Sequence, residues 1–536
     1  MEDEKLQKIE RTQNAMDNNG RDIAIDGLLQ ANALDYKLPP NLSVVVRRNL
    51  VKSASDTKSY TAADTLSFIV NSGDQYVDPS NSYFIFQLGC DVTANSASFS
   101  STATAAARFG LGSAMNVILE VSCTSASGTE VIREKKINAY RIVDDRYGCS
   151  GEWLEKYGSI YGYKKTDTWD VAPTAFSPTQ TTIAISTAGV VTGVGTALST
   201  ELSVGDILIS PTFGYRYRLT AITSATAAQV EALGTLTAVV AAAGWTALRA
   251  RDDGNAKWIG QNICYNGTGV GFNDASTAPR FCIPLSRMSG IFNTNKLIPA
   301  GLIGGMRVEI TLETANKALV WSSLATANTP PTYTITNPRL VFDTYQLSDS
   351  VLKRLNAISA NSGLEVVYYA VDNTPGSLSS ETSVNVDSKR AVSRAMTTFL
   401  KVRATSDTTA ENDSMKSDST AFTSFQMTLA GLNFPNHTVT NQQEMFQIAQ
   451  YTWDKLKNCD NPNDVSLSSY QNDGDNIVSA TLERSNVLAL SGLPISSARI
   501  LQCTAVLASS VTGLTDLYMT YVKVAKVYLN KIIVRE

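Results

Sequence analysis

The chain has a single histidine in 536 residues, His437, within NFPNHTVT. A serine or cysteine hydrolase needs a histidine beside a nucleophile and an orienting carboxylate, and a zinc site needs several nitrogen or thiolate ligands. One histidine in a polar loop supports neither and reads as a solvated or capping residue. Charge is also scarce, with 18% charged residues and a net charge of −4. That balance gives no basic footprint, so sequence-specific nucleic-acid binding by the folded body is not expected. The seven cysteines (Cys90, Cys123, Cys149, Cys264, Cys282, Cys459, Cys503) are scattered and form no CxxC pair. Buried free thiols are therefore expected, with neither a disulfide framework nor a zinc cluster. No GxSxG, HExxH or GxxxxGK[ST] motif occurs. The opening MEDEKLQKIERTQ has no apolar core of a signal peptide, and no run of 18 apolar residues appears anywhere. A soluble protein made inside the cell is the expectation.

What is present is a large, apolar, Ser/Thr/Ala/Val-rich body. With 43% hydrophobic residues the chain is globular, and its length is too great for a single core. The stretch 280–320, RFCIPLSRMSGIFNTNKLIPAGLIGGMRVEITLETANKALV, sets the pattern. Met306, Val308, Ile310 and Leu312 alternate with Arg307, Glu309, Thr311 and Glu313, the period of a half-buried strand. The prolines and glycines before it exclude a long helix and give a strand–loop–strand unit.

Residues 1–40 differ: Leu6, Ile9, Met16 and Ile23 recur at helical spacing among charged and amide residues, and Pro39-Pro40 ends the segment. This reads as an amphipathic arm of short helices. From 42 to about 163 the runs SVVVRRNLV, TLSFIV, SYFIFQLGCDV, MNVILEVSCT and TEVIREKKI read as strands. RYGCSGEWLEKYGSIYGYKK then reads as a loop or short helix. Residues 172–252 look like a self-contained β module that interrupts this first domain, with polar joints on either side. After the linker SSLATANTPP a second β set runs from 332 to 536, broken by helices over SDSVLKRLNAISA and NQQEMFQIAQYTWDKLK. The plan is all-β: an arm over 1–40, a first β domain over 41–321 with the insertion, and a second over 332–536.

Candidate chemistry is thin. GTGVGF at 267–272 has the wrong spacing for a phosphate loop, and no helix follows it. The paired acids Asp144-Asp145 and Asp252-Asp253 would point to opposite faces if they lay on strands. DGNAKW and NDGDN resemble pieces of calcium loops without the terminal glutamate. No catalytic, cofactor-binding or metal-binding residue is assigned, and no cofactor is expected.

A large β protein in two parts with no active site points to assembly. FCIPL followed by LIPAGLIGGMRVEITLE resembles the end of the first barrel in double jelly-roll major capsid proteins of eukaryotic DNA viruses, of the polinton-like, virophage and adintovirus kind. SYFIFQLGCDV, NPRLVFDTYQLSDSVLKRL, FQMTLAGLNFP and SGLPISSARILQC with LYMTYVKVAKVYL are similar in the same order along the chain. The resemblance implies two consecutive jelly rolls and homotrimeric, pseudo-hexagonal capsomers tiling an icosahedral virion. It also implies contacts with neighbouring capsomers, penton and minor capsid proteins, and an internal membrane. Aromatic residues such as Trp153, Tyr157, Tyr161, Tyr163, Trp321 and Trp453 would then serve subunit interfaces. The inserted module resembles small β domains of phage tail and fibre proteins through VTGVGT, ELSVGDIL and YRLTAITSATAAQVE. By analogy it would form an outer tower available to the host surface. Two other classes stay open: a receptor-binding or tail-fibre protein, motivated by that module, and a glycan-cleaving enzyme, motivated only by the scattered acids.

Overall fold

The computed structural model describes residues 44–54, 59–91, 105–109, 113–161, 174–175, 182–194, 198, 202, 207–210, 216–232, 239–243, 245–248, 262–266, 280–294, 296–321, 332–388, 390–404, 420–453, 465–472, 475–483, 492–496, 499–528 and 531–536. The expected arm over 1–40, the linker over 322–331, GTGVGF and Asp252-Asp253 lie outside these residues.

Two sheets form the first barrel. One contains β1 (Val44–Ser53), β3 (Tyr76–Asp91), β6 (Arg280–Pro284) and β8 (Thr332–Leu347) in the order β1-β8-β3-β6. The other contains β2 (Thr65–Val70), β4 (Ile118–Thr124), β5 (Glu130–Lys135) and β7 (Met306–Leu312) in the order β2-β7-β4-β5. All pairings are antiparallel. Their inner faces meet: the rings of Phe68 on β2 and Phe84 on β3 pack edge to face with centroids 6.0 Å apart. The alternation read in MRVEITL is realised, with Met306, Val308, Ile310 and Leu312 all at most 1% exposed. Each such side chain stabilises the fold by roughly 1.5–3 kcal/mol through removal from water.

The strand–loop–strand unit of the 280–320 stretch is divided between the sheets: β6 lies in one and β7 in the other, so the segment between them crosses the barrel. The expected start of the second domain at 332 falls on β8, which sits between β1 and β3 in the first sheet. The linker reads as a domain joint because it is polar and proline-bearing, yet the apolar face of β8 completes the sheet that precedes it.

The second barrel is a curled sheet in the order β12-β11-β14-β10-β13. These are β10 (Val392–Ala404), β11 (Phe422–Leu429), β12 (Leu432–Val439), β13 (Val478–Thr481) and β14 (Leu501–Val527). A further strand, β9 (Leu364–Ser388), pairs with β14 over nearly its whole length. Where the sequence reads short strands separated by turns, β9 and β14 run for 25 and 27 residues. Turn-like residues in these strands have other causes. Pro375 is accommodated because, among the described residues, β9 pairs with β14 alone, leaving its other edge without a ladder partner. A Cβ at Gly513 would lie 2.4 Å from the carbonyl oxygen of Arg403, so glycine there permits the approach of β10.

Eight strands between Thr174 and Leu248 form one further sheet whose members pair only with each other. It has its own core around Ile183, Val191, Leu208, Tyr217, Leu219 and Trp245, and the Trp245 indole donates to the Ile183 carbonyl at 3.1 Å. The remaining three-stranded sheet joins Asn262–Asn266, Ala105–Phe109 and Leu319–Trp321.

The longer helices are α1 (Ile137–Gly148), α2 (Gly151–Tyr157), α3 (Asp349–Asn361) and α4 (Gln442–Thr452). The structure has α3 where SDSVLKRLNAISA was read as a helix, with Ser348 at its N-cap, and α4 over the first part of NQQEMFQIAQYTWDKLK, with Asn441 at its N-cap; residues 454–457 lie outside the described residues.

Candidate functional site: the seam between the barrels

The most highly organised polar chemistry among the described residues lies where β5 and α1 of the first barrel meet β9, β10 and β14 of the second. Helix α1 follows β5 through Lys136, which adopts the left-handed conformation (φ 49°) and turns the chain. The helix is buried almost all round, which is why INAYRIVDDRYG shows no solvent face. Tyr140 stacks on Phe399 of β10 at 5.8 Å, Phe399 stacks on Tyr518 of β14 at 5.0 Å, and Tyr147 packs on Trp453 at 5.1 Å. One aromatic layer thus joins the two barrels.

Polar groups are fitted into this layer in pairs. Glu134 is fully buried, and its carboxylate accepts the backbone N–H of Gly290 at 3.3 Å and of Val371 at 3.2 Å. Burial holds its pKa above the usual carboxylate range, against the pull of Arg141 and these hydrogen bonds. Val371 lies on β9, whose outer edge would otherwise leave that donor unpaired. The fit is close: a Cβ at Gly290 would lie 1.6 Å from the Tyr369 carbonyl oxygen. Tyr368 donates its hydroxyl to the Val131 carbonyl at 2.6 Å. Asp516 on β14 is held by Lys136 at 2.8 Å and Arg403 at 2.6 Å, and it also accepts from Asn373 at 3.1 Å. Burial alone would raise its pKa, but Arg403 and Lys136 hold it below the usual value. Arg146 pairs with Asp475 in the same interior, and the Tyr147 hydroxyl donates to the Asp475 carbonyl at 2.9 Å.

The paired acids of the sequence come to rest here, on a helix and not on a strand. Asp144 accepts from Arg141 at 2.7 Å, Arg287 at 3.3 Å and the Trp453 indole at 3.4 Å. Burial would raise its pKa, but the two guanidinium groups keep it below the usual value. Among the described residues Asp145 has only Arg287 within salt-bridge range, at 3.6 Å. Burial, reinforced by Asp144, pushes its carboxyl up to about 6 despite Arg287 and Arg141. Both carboxylates are buried in the contact between α1 and the barrel and face arginines, Asp144 facing Arg141 and Arg287 and Asp145 facing Arg287. Neither acid lines the cavity bounded by Trp153, Cys282 and Pro284, the one bounded by Gln87, Arg280 and Arg339, or the one bounded by Phe422, Met445 and Tyr470.

Other expected residues are placed as follows. His437 is exposed on β12 and meets Glu444 of α4 at 2.7 Å, a surface pair. Cys123, Cys149 and Cys503 are buried free thiols, and Cys282 is half-buried. Trp453, expected at a subunit interface, is instead committed within the seam. Trp153 on α2 is half-buried with the Arg287 guanidinium 5.2 Å above its ring. The side chains of Tyr157, Tyr161, Tyr163 and Trp321 lie outside the described residues. The sequence reading missed the seam because α1 was not recognised, although Ile137, Tyr140, Val143 and Tyr147 recur at helical spacing.

No protein-family model matches the chain, and neither does any curated protein. Solved structures do. The Faustovirus major capsid protein matches over 92% of this chain and 92% of its own, with a TM-score of 0.51 at 10% identity. The fold is the double jelly roll. Chains from the PBCV-1 virus capsid (94% of this chain, 99% of that one, TM-score 0.49, 8% identity) and the mavirus major capsid protein (94%, 93%, 0.42, 8%) also match. In this double jelly roll the seam is what makes two barrels one body, since its buried ion pairs, hydrogen bonds and aromatic layer join residues up to 392 positions apart.

Proposed function

We propose that the chain is a major capsid protein, a virion component that forms homotrimeric, pseudo-hexagonal capsomers tiling an icosahedral shell. The observation that carries this is the double jelly roll spanning nearly the full length of both this chain and the Faustovirus major capsid protein. The buried seam supports it: a tile must transmit contacts across its width, and a rigidly fused pair of barrels does so. In this reading the first barrel extends to Leu347 and the second begins at β9. The eight-stranded insertion within 172–252 is a tower facing outward, available to a host surface. Partners are other copies of the chain, neighbouring capsomers, and penton and minor capsid proteins. The role is structural, without catalysis or cofactor.

The test is the mass of the purified protein by size-exclusion chromatography with light scattering, followed by negative-stain imaging. Three chains per particle and a three-lobed, pseudo-hexagonal outline are expected. A monomer that persists at high concentration overturns the proposal.

A further inference from the structure

The outward face of the β1-β8-β3-β6 sheet carries a polar cavity of about 160 Å³ lined by Ile85, Phe86, Gln87, Arg280, Asn337 and Arg339. It exists because the ladder slips: Thr336 pairs with Gln87 but Arg339 pairs with Ile85, so β8 holds one residue more than β3 between the two pairs. Such a bulge breaks the ladder and re-aims side chains. Asn337 takes the left-handed conformation (φ 52°) that the bulge requires. Its amide donates to the Gln87 side-chain oxygen at 2.8 Å. Gln87 is only 5% exposed, and that bond uses its acceptor while its own amide N–H groups have no acceptor among the described residues.

Two cations complete the lining. Arg280 sits opposite Gln87 on β6, and Arg339 sits between Ile85 of β3 and Ser53 of β1. Every one of these cross-strand neighbours is uncharged, no lining residue is acidic, and among the described residues neither guanidinium has a carboxylate partner. Arg390 and Arg403, by contrast, are each engaged by carboxylates. Beside Gln87 in register, the Thr336 hydroxyl is buried and also lacks a partner. Two guanidinium forks, an amide donor and no acidic side chain make a recess complementary to a doubly charged oxyanion.

We propose that this bulge cavity binds a phosphate-class dianion, free or as the head of a phosphomonoester. Arg280 and Arg339 neutralise its charge from opposite sides of β3, and the Gln87 amide fixes its position.

The experiment uses the full chain and inorganic phosphate. Isothermal titration and thermal melts are run at constant ionic strength, with chloride as the reference anion. Saturable binding and a phosphate-dependent rise in melting temperature are expected. The Arg280→Gln/Arg339→Gln double variant should melt normally without phosphate and bind it about tenfold or more weakly, as loss of charged hydrogen bonds implies. Gln87→Glu, which places a carboxylate in the recess, should abolish binding. A second arm uses phosphatidylcholine vesicles with and without phosphatidic acid. Phosphate binding without vesicle binding assigns a free anion, and arginine-dependent binding of both assigns a headgroup. Failure to saturate, or equal affinity in the wild type and the double variant, overturns the site.

Discussion

Glu134 of β5 accepts the backbone N–H of Val371 on β9 at 3.2 Å, a hydrogen bond between barrels from a fully buried carboxylate. The same carboxylate holds Gly290, so one side chain satisfies two buried donors. Removing it leaves both unsatisfied, and each orphaned donor costs about 1–3 kcal/mol. Glu134→Ala is therefore expected to lower the melting temperature sharply, while Glu134→Gln, which keeps one acceptor oxygen, should lose less than half as much. Differential scanning fluorimetry of the two variants decides it; equal losses would show that the carboxylate does not bridge the barrels.

Asp145 makes the seam sensitive to pH. Its folded pKa of about 6 lies above the unfolded value of 3.8, so folding takes up a proton between those values. Stability from this group is constant above about pH 7 and rises as pH falls through 6 towards 4, by up to about 1.4 kcal/mol per pH unit. Asp145→Asn should raise the melting temperature at pH 7.5, and its advantage should shrink by pH 5. Melting curves of both proteins that stay parallel across that range would refute the assignment.

The inward register of β7 gives a sharper contrast. Ile310 is 0% exposed, whereas Arg307 projects outward and bonds to Ser67 at 3.0 Å. Ile310→Asp buries an unpaired charge at a cost of several kcal/mol and should give no soluble protein. Arg307→Ser should fold within about 0.5 kcal/mol of the parent, as exposed substitutions do. Soluble, cooperatively melting Ile310→Asp would mean that the strand presents its other face.

Excision of 172–252 with rejoined flanks should leave assembly unchanged, because the eight-stranded sheet pairs only within itself and has a separate core. Light scattering of the shortened chain against the full one is the measurement. Loss of soluble protein would show that the insertion stabilises the first barrel.

The strands with one face to water were legible in the sequence because burial imposes period 2 on them, as in MRVEITL. Helix α1 was not, because a helix enclosed on all sides loses the polar face that would mark it. The β9–β14 pair was cut short for a different reason: Pro375, Gly376 and Gly513 signal turns locally, while here they serve close strand approach and a free edge. The membership of β8 was not legible either, because it follows a linker in the chain but completes the sheet before it, a pairing that no local pattern reports. The seam's charges were individually visible and collectively hidden. Lys136, Arg403 and Asp516 are hundreds of positions apart or joined only through sheet register.

The length of β14 has a mechanical consequence. At about 3.3 Å per residue its 27 residues trace a contour of roughly 90 Å. That contour carries Asp516, Tyr518 and Lys523 of the seam and continues to the pairing with β11. Tension along this strand loads its hydrogen bonds with β9 in shear, many at once, so they do not open one after another from an end. β14 therefore acts as a tie rod: stress at one end of the second barrel reaches the first through a single covalent element, and the ladder beside it is hard to unzip.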